Sequence, residues 1–97
     1  MSLSITALFK AKPGALPELR SHVEELVRLS RQEAACLRYD LHESRTEEPF
    51  LILWEEWADQ PGLDFHNHQP YLDTFREKAG GLLAEPVVLF HSFPTEG

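Results

Sequence analysis

The chain has 97 residues, the size of one compact domain, here read as spanning residues 1–97. Its net charge of −7, from 9 Lys and Arg against 16 Asp and Glu, repels phosphate backbones and argues against a nucleic-acid-binding role. No apolar run approaches the ~18 residues of a membrane span, no secretory leader is visible, and the single cysteine, Cys36, excludes an internal disulfide. A reducing, cytoplasmic setting is the expectation.

Leu3 to Ala11 alternates, with Leu3, Ile5, Ala7, Phe9 and Ala11 on one parity, and predicts a strand. Lys12-Pro13-Gly14 ends it as a turn. Leu16 to Gln32 is helical: Leu16, Leu19, Val23, Leu26, Val27 and Ser30 form one stripe, and Pro17 fits the first turn. Glu24 stands four residues before Arg28, so an ion pair is expected there. Leu37, Tyr39 and Leu41 alternate with Arg38, Asp40 and His42 as a second strand. After the Glu47-Glu48-Pro49 turn, Phe50 to Trp57 is apolar on both parities, as in a strand covered on both faces. Asp59 caps a short helix with Pro61 in its first turn, interrupted at Gln69-Pro70. A second piece carries Tyr71, Leu72, Phe75 and Ala79, and Gly80-Gly81 ends it. Pro86 opens a last strand, Val87 to Phe93, apolar except at His91 and Ser92.

Strand, helix, strand, strand, helix, strand is the ferredoxin-like βαββαβ order, an α+β antiparallel sheet. Two helices cover one face of such a sheet. The doubly apolar strands ask for a cover on the other, and a second copy of the chain is the simplest one. A homodimer through the open sheet face is therefore expected. A cavity between sheet and helices would take part of that apolar surface instead.

Several stretches resemble the antibiotic biosynthesis monooxygenase domains of the dimeric α+β barrel superfamily. They are Lys12-Pro13-Gly14 before the first helix, Cys36-Leu37-Arg38-Tyr39-Asp40-Leu41 in the second strand, Glu55-Glu56-Trp57 closing the third in a Glu-x-Trp pattern, and His66 nine positions later. The resemblance covers nearly the whole chain. Two departures stand out. Relatives often have Glu-Pro-Gly or Glu-Gly where this chain has Glu33-Ala34-Ala35, so its turn is expected to differ. Relatives often have Pro-His where this chain has Pro70-Tyr71. The resemblance implies a small homodimer with a pocket between each sheet and its helices. Characterised members of the wider family include cofactor-free monooxygenases of quinols and polycyclic phenols, haem-degrading enzymes and isomerases of small metabolites.

His66 matches the family's helix histidine and is the candidate catalytic base, since phenol oxidation by dioxygen begins with deprotonation. The competing reading is a histidine that caps the short helix or bonds across the domain. His68 stands two residues on, and on a helix the two do not share a face, so no metal site is read here. Trp57, Tyr39, Phe65, Tyr71 and Phe75 are candidate walls of a pocket for a small aromatic ligand, with plain core packing as the alternative for each. Trp54 has the opposite parity and suits core or dimer interface. Glu55 would orient His66, pair with Arg38 or end a strand at the surface. Cys36, among Ala and Leu, reads as a small hydrophobe. The family's haem-degrading branch uses an Asn from the first strand; this strand has Ser4 and Thr6. No Gly-rich phosphate loop is present. The expected function is a cofactor-independent monooxygenase of a small aromatic or quinol-like molecule. The alternatives are a binding or metabolite-isomerising barrel without oxygen chemistry and a dimerisation module with a residual pocket.

Overall fold

The computed structural model describes residues 2–96. Seven elements follow in order: β1 Leu3–Phe9, α1 Leu16–Ser30, β2 Cys36–Glu43, β3 Leu51–Trp57, α2 Gln60–Asn67, α3 Pro70–Gly80 and β4 Val88–Ser92. The strands form one antiparallel sheet in the order β2-β3-β1-β4, the ferredoxin-like arrangement.

Strand alternation decides which side chains meet the helices. Ile5, Ala7 and Phe9 of β1 and Leu51, Leu53, Glu55 and Trp57 of β3 are buried on the helix side. Helix α1 lays Leu19, Val23, Leu26, Val27 and Ser30 on them, the stripe its spacing predicts. The expected Glu24–Arg28 pair is replaced. Arg28 donates to Glu25 instead, with Nε 3.0 Å from Oε2, because residues three apart share the face equally well.

Several element ends differ from the sequence reading, and at two of them the backbone finds another partner. Residues 10–12 leave β1 and bond the segment after α3: Lys12 N–H donates to Leu82 O at 2.8 Å and Ala84 N–H to Lys10 O at 2.8 Å. Ala11 keeps only an isolated bridge to Leu83. After Ser30, Gln32 and Glu33 close tighter turns onto Leu29 and Ser30, so α1 stops two residues early. Val87 and Phe93 lie just outside β4. The break at Gln69-Pro70 stands where expected, with Asp59 Oδ1 accepting from Gly62 N–H at 2.8 Å to cap α2.

The Ala34-Ala35 turn is built without a positive φ, so its geometry does not call for glycine. The close approach is made by Gly62. A Cβ there would sit 2.3 Å from that of Ala35, so the start of α2 is packed directly onto this turn. Ala58 N–H donates to Ala35 O at 2.9 Å and ties the turn to the end of β3. The turn that ends α1 and the helix that follows β3 are thereby held together.

The outer sheet face carries Leu8, Ile52, Trp54, Val88 and Phe90, with Trp54 44% and Phe90 54% exposed. No helix is long and apolar enough to cross a membrane among the described residues.

Candidate functional site

A cavity of about 380 Å³ lies between the helix side of the sheet and the three helices. Its walls are mostly apolar, including Phe9, Leu53, Leu72 and Phe75. Its polar groups are few: Tyr39, Glu55, His66, Asn67, Arg76 and His91. An apolar chamber with a handful of convergent polar groups is the usual form of a small-molecule site.

His66 occupies the last turn of α2 and is only 3% exposed. Its Nδ1 is 2.7 Å from Glu33 Oε2. The Tyr71 hydroxyl donates to the same oxygen and lies 3.3 Å from Nδ1. Glu33 Oε1 is buried without a partner, so both donors converge on one oxygen of a carboxylate whose side chain is 8% exposed. Burial pushes the Tyr71 phenol pKa up, and the bond to Glu33 adds to the rise, so the phenol keeps its proton and donates. A carboxylate oxygen accepts, so contact with Glu33 favours a proton on the imidazole Nδ1. Nε2 has no hydrogen-bond partner among the described residues. The Trp57 ring packs on the imidazole at 4.3 Å between centroids and 35° between planes, and Tyr39 approaches at 5.8 Å. A buried, unpaired carboxylate oxygen opposes folding. Such an arrangement is the kind kept where function needs it.

Glu55 neither orients His66 nor pairs with Arg38. Its Oε1 accepts from Trp57 Nε1–H at 3.0 Å. Glu33 holds His66, and Arg38 pairs with Asp40 at 3.2 Å. Burial raises the Glu55 pKa to about 7; the Trp57 bond opposes the rise and the charge of Glu33 adds to it.

The other candidates divide. Tyr39 and Phe75 line the cavity with His66. Trp57 is fully buried behind the imidazole, and Tyr71 also stands behind it, on Glu33. Phe65 is 63% exposed and lies outside the cavity lining. His68 turns to the Asp64 carbonyl oxygen, 2.7 Å from its Nδ1, so the two histidines engage different partners. The Cys36 pKa is pushed up to about 11, chiefly by burial and then by Glu33 and Glu55, which keeps it a thiol.

Sequence reasoning passed over Glu33, Asn67, Arg76 and His91. His91 had a signal: it breaks the apolar pattern of the last strand, and pairing to Ile5 sets it on the cavity side. Glu33 lies 33 residues from His66, and its signal was weaker, a lone charge in the turn between an amphipathic helix and a strand.

Comparison with known proteins agrees with this architecture. A model of the family described as antibiotic biosynthesis monooxygenase matches residues 2–78. The chain is 34% identical to "Putative monooxygenase YcnE" of Bacillus subtilis over 86% of its own length and 87% of that protein's. It is 31% identical to "Putative monooxygenase Rv0793" of Mycobacterium tuberculosis over 90% of its length and 85% of that protein's. The solved structure of Rv0793 superposes with a TM-score of 0.93 at 29% identity, covering 100% of this chain and 98% of that one. An uncharacterized Synechocystis protein, sll1783, is 34% identical over 80% of this chain, which spans 53% of that relative. By its sequence match and its fold, the chain belongs to the antibiotic biosynthesis monooxygenase family.

Proposed function

We propose that the protein oxygenates a small phenol or quinol-like aromatic with dioxygen and without a cofactor, and that His66 is the base. One observation carries the reading. A buried imidazole held through Nδ1 by Glu33 lines an apolar cavity of ring-holding size. His66 Nε2 takes the phenolic proton, which makes the ring a stronger electron donor. The phenolate supplies electrons to dioxygen, a C–O bond forms and a peroxide anion results. Protonation gives the hydroperoxide. Loss of water then leaves a quinone, with one oxygen atom in the product and one in water. Tyr39 and Phe75 shape the pocket, with Trp57 behind the base. We further propose a cytoplasmic homodimer through the outer sheet face.

The test is oxygen uptake with 1-naphthol and 1,4-dihydroxynaphthalene. Uptake is expected, and it is expected to be unchanged by EDTA. His66→Ala is expected to lower it about a hundredfold or more. Equal uptake by a folded His66→Ala protein would remove His66 from the mechanism. Ligand conversion with no oxygen consumed would point to the isomerising reading.

A further inference from the structure

The reaction above needs a second proton carrier, and Glu55 stands where one is required. It is 8% exposed and lines the cavity with His66. Strand register sets Tyr39, Glu55, Ile5 and His91 in one row across the sheet, and all four line the cavity. Trp57 Nε1–H fixes Oε1 at 3.0 Å, while Oε2 has no hydrogen-bond partner among the described residues. The same indole packs on His66 at 4.3 Å. One rigid ring thus spaces a carboxyl and an imidazole on a shared chamber. A buried carboxyl is stable when paired with a cation or when neutral. The nearby cations are engaged elsewhere: Arg38 with Asp40 and Arg76 with Asp73.

We propose that Glu55 is the acid partner of His66, giving its proton to the oxygen that becomes negative when dioxygen adds to the bound phenolate. The proposal rests on the phenol-oxygenase reading and completes its proton balance. His66 first takes the phenolic proton. Addition of dioxygen at a ring C–H carbon leaves a peroxide anion, which the Glu55 carboxyl protonates. The Glu55 carboxylate then removes the hydrogen from that carbon. The C–H pair forms the new C=O bond, the O–O bond breaks, and the departing hydroxide takes the proton held on His66. Phenol plus dioxygen becomes quinone plus water, and both side chains return to their starting forms.

Several groups face Glu55. They are Tyr39 and Cys36 from β2, Glu33 from the preceding turn, His66 from α2, Arg76 from α3 and His91 from β4. Burial holds the Glu55 pKa at about 7. The proton-donating form is therefore present below that pH and lost above it, so turnover is expected to fall as pH rises through about 7.

The test uses 1-naphthol turnover across pH, together with infrared titration of the protonated carboxyl band. Glu55→Gln keeps the acceptor for Trp57 but holds no transferable proton. It is expected to lose about a hundredfold in kcat with little change in KM, and to lose the alkaline limb. Trp57→Phe keeps an aromatic ring against His66 and removes the bond that lowers the Glu55 pKa, so its alkaline limb is expected to move to higher pH. Wild-type kcat and pH profile in Glu55→Gln would overturn the proposal. Absence of oxygen uptake by the wild type would instead sink the oxygenase reading, and Glu55 is then judged by the infrared signal alone. A carboxyl band that titrates near neutrality, shifts when 1-naphthol binds and is missing in Glu55→Gln supports a proton-donating contact. Absence of such a band overturns it.

Discussion

Glu33 commits a buried carboxylate to one imidazole and one phenol. Its Oε2 receives both donors and its Oε1 has none among the described residues. A structural histidine would be served as well by any neutral acceptor; a base gains from a fixed tautomer and a nearby negative charge. Glu33→Gln is expected to lower kcat by about tenfold or more with KM nearly unchanged, since Glu33 acts through His66 and lies outside the cavity lining. Nitrogen NMR of the imidazole should show the proton leaving Nδ1 for part of the population. Tyr71→Phe removes one of two donors and should have the smaller effect. Wild-type kcat together with an unchanged tautomer in Glu33→Gln would mean that Glu33 does not position the base. At this scale the sequence was only partly legible. His66, Tyr39 and Phe75 were readable, and they share the cavity, because the resemblance marks the first and alternation or helical spacing the others. The partner of His66 was not, since contact between residues 33 positions apart depends on how the turn after α1 meets α2. Phe65 shows the opposite failure: aromatic identity suggests a wall, but its place on the helix turns it outward at 63% exposure.

That meeting of turn and helix is made by a glycine and an alanine. Gly62 lets α2 approach until its missing Cβ would stand 2.3 Å from the Ala35 Cβ. Gly62→Ala should therefore force the helix away and cost about 1–3 kcal/mol, as overpacking does. Ala35→Gly opens the space. The double variant should recover more than the single changes sum to, with a coupling of about 1 kcal/mol or more in urea unfolding. Additive effects would show that the two residues do not share this space. Element type and order were legible here because period-2 and period-3.6 patterns, Asp59 and the Gln69-Pro70 break are local signals. Element ends were less so. Residues 10–12 pair with the segment after α3, a contact no local pattern encodes.

At the scale of the whole molecule, one face of the sheet is left uncovered among the described residues. Register places Asp40, Trp54, Thr6 and Phe90 in one outer row and His42, Ile52, Leu8 and Val88 in the next. The apolar members are neighbours, so they form a patch, whereas Phe65 is a single exposed ring on the helix side. Isolated exposed apolar residues are ordinary, while contiguous ones mark an interface. The sheet face, its strands apolar on both parities, is the surface proposed above for a second copy, and Trp54 lies on it. The wild type is expected to sediment at twice its 11.1 kDa chain mass. Trp54→Glu would place a carboxylate from each copy in that contact, on chains already at −7, and should yield monomer. Phe65→Glu removes a more exposed aromatic and adds the same charge, yet should leave the dimer intact. If both variants dissociate alike, charge alone governs association and the patch does not. If the wild type is monomeric at micromolar concentration, the outer face is not covered by a second copy of this chain.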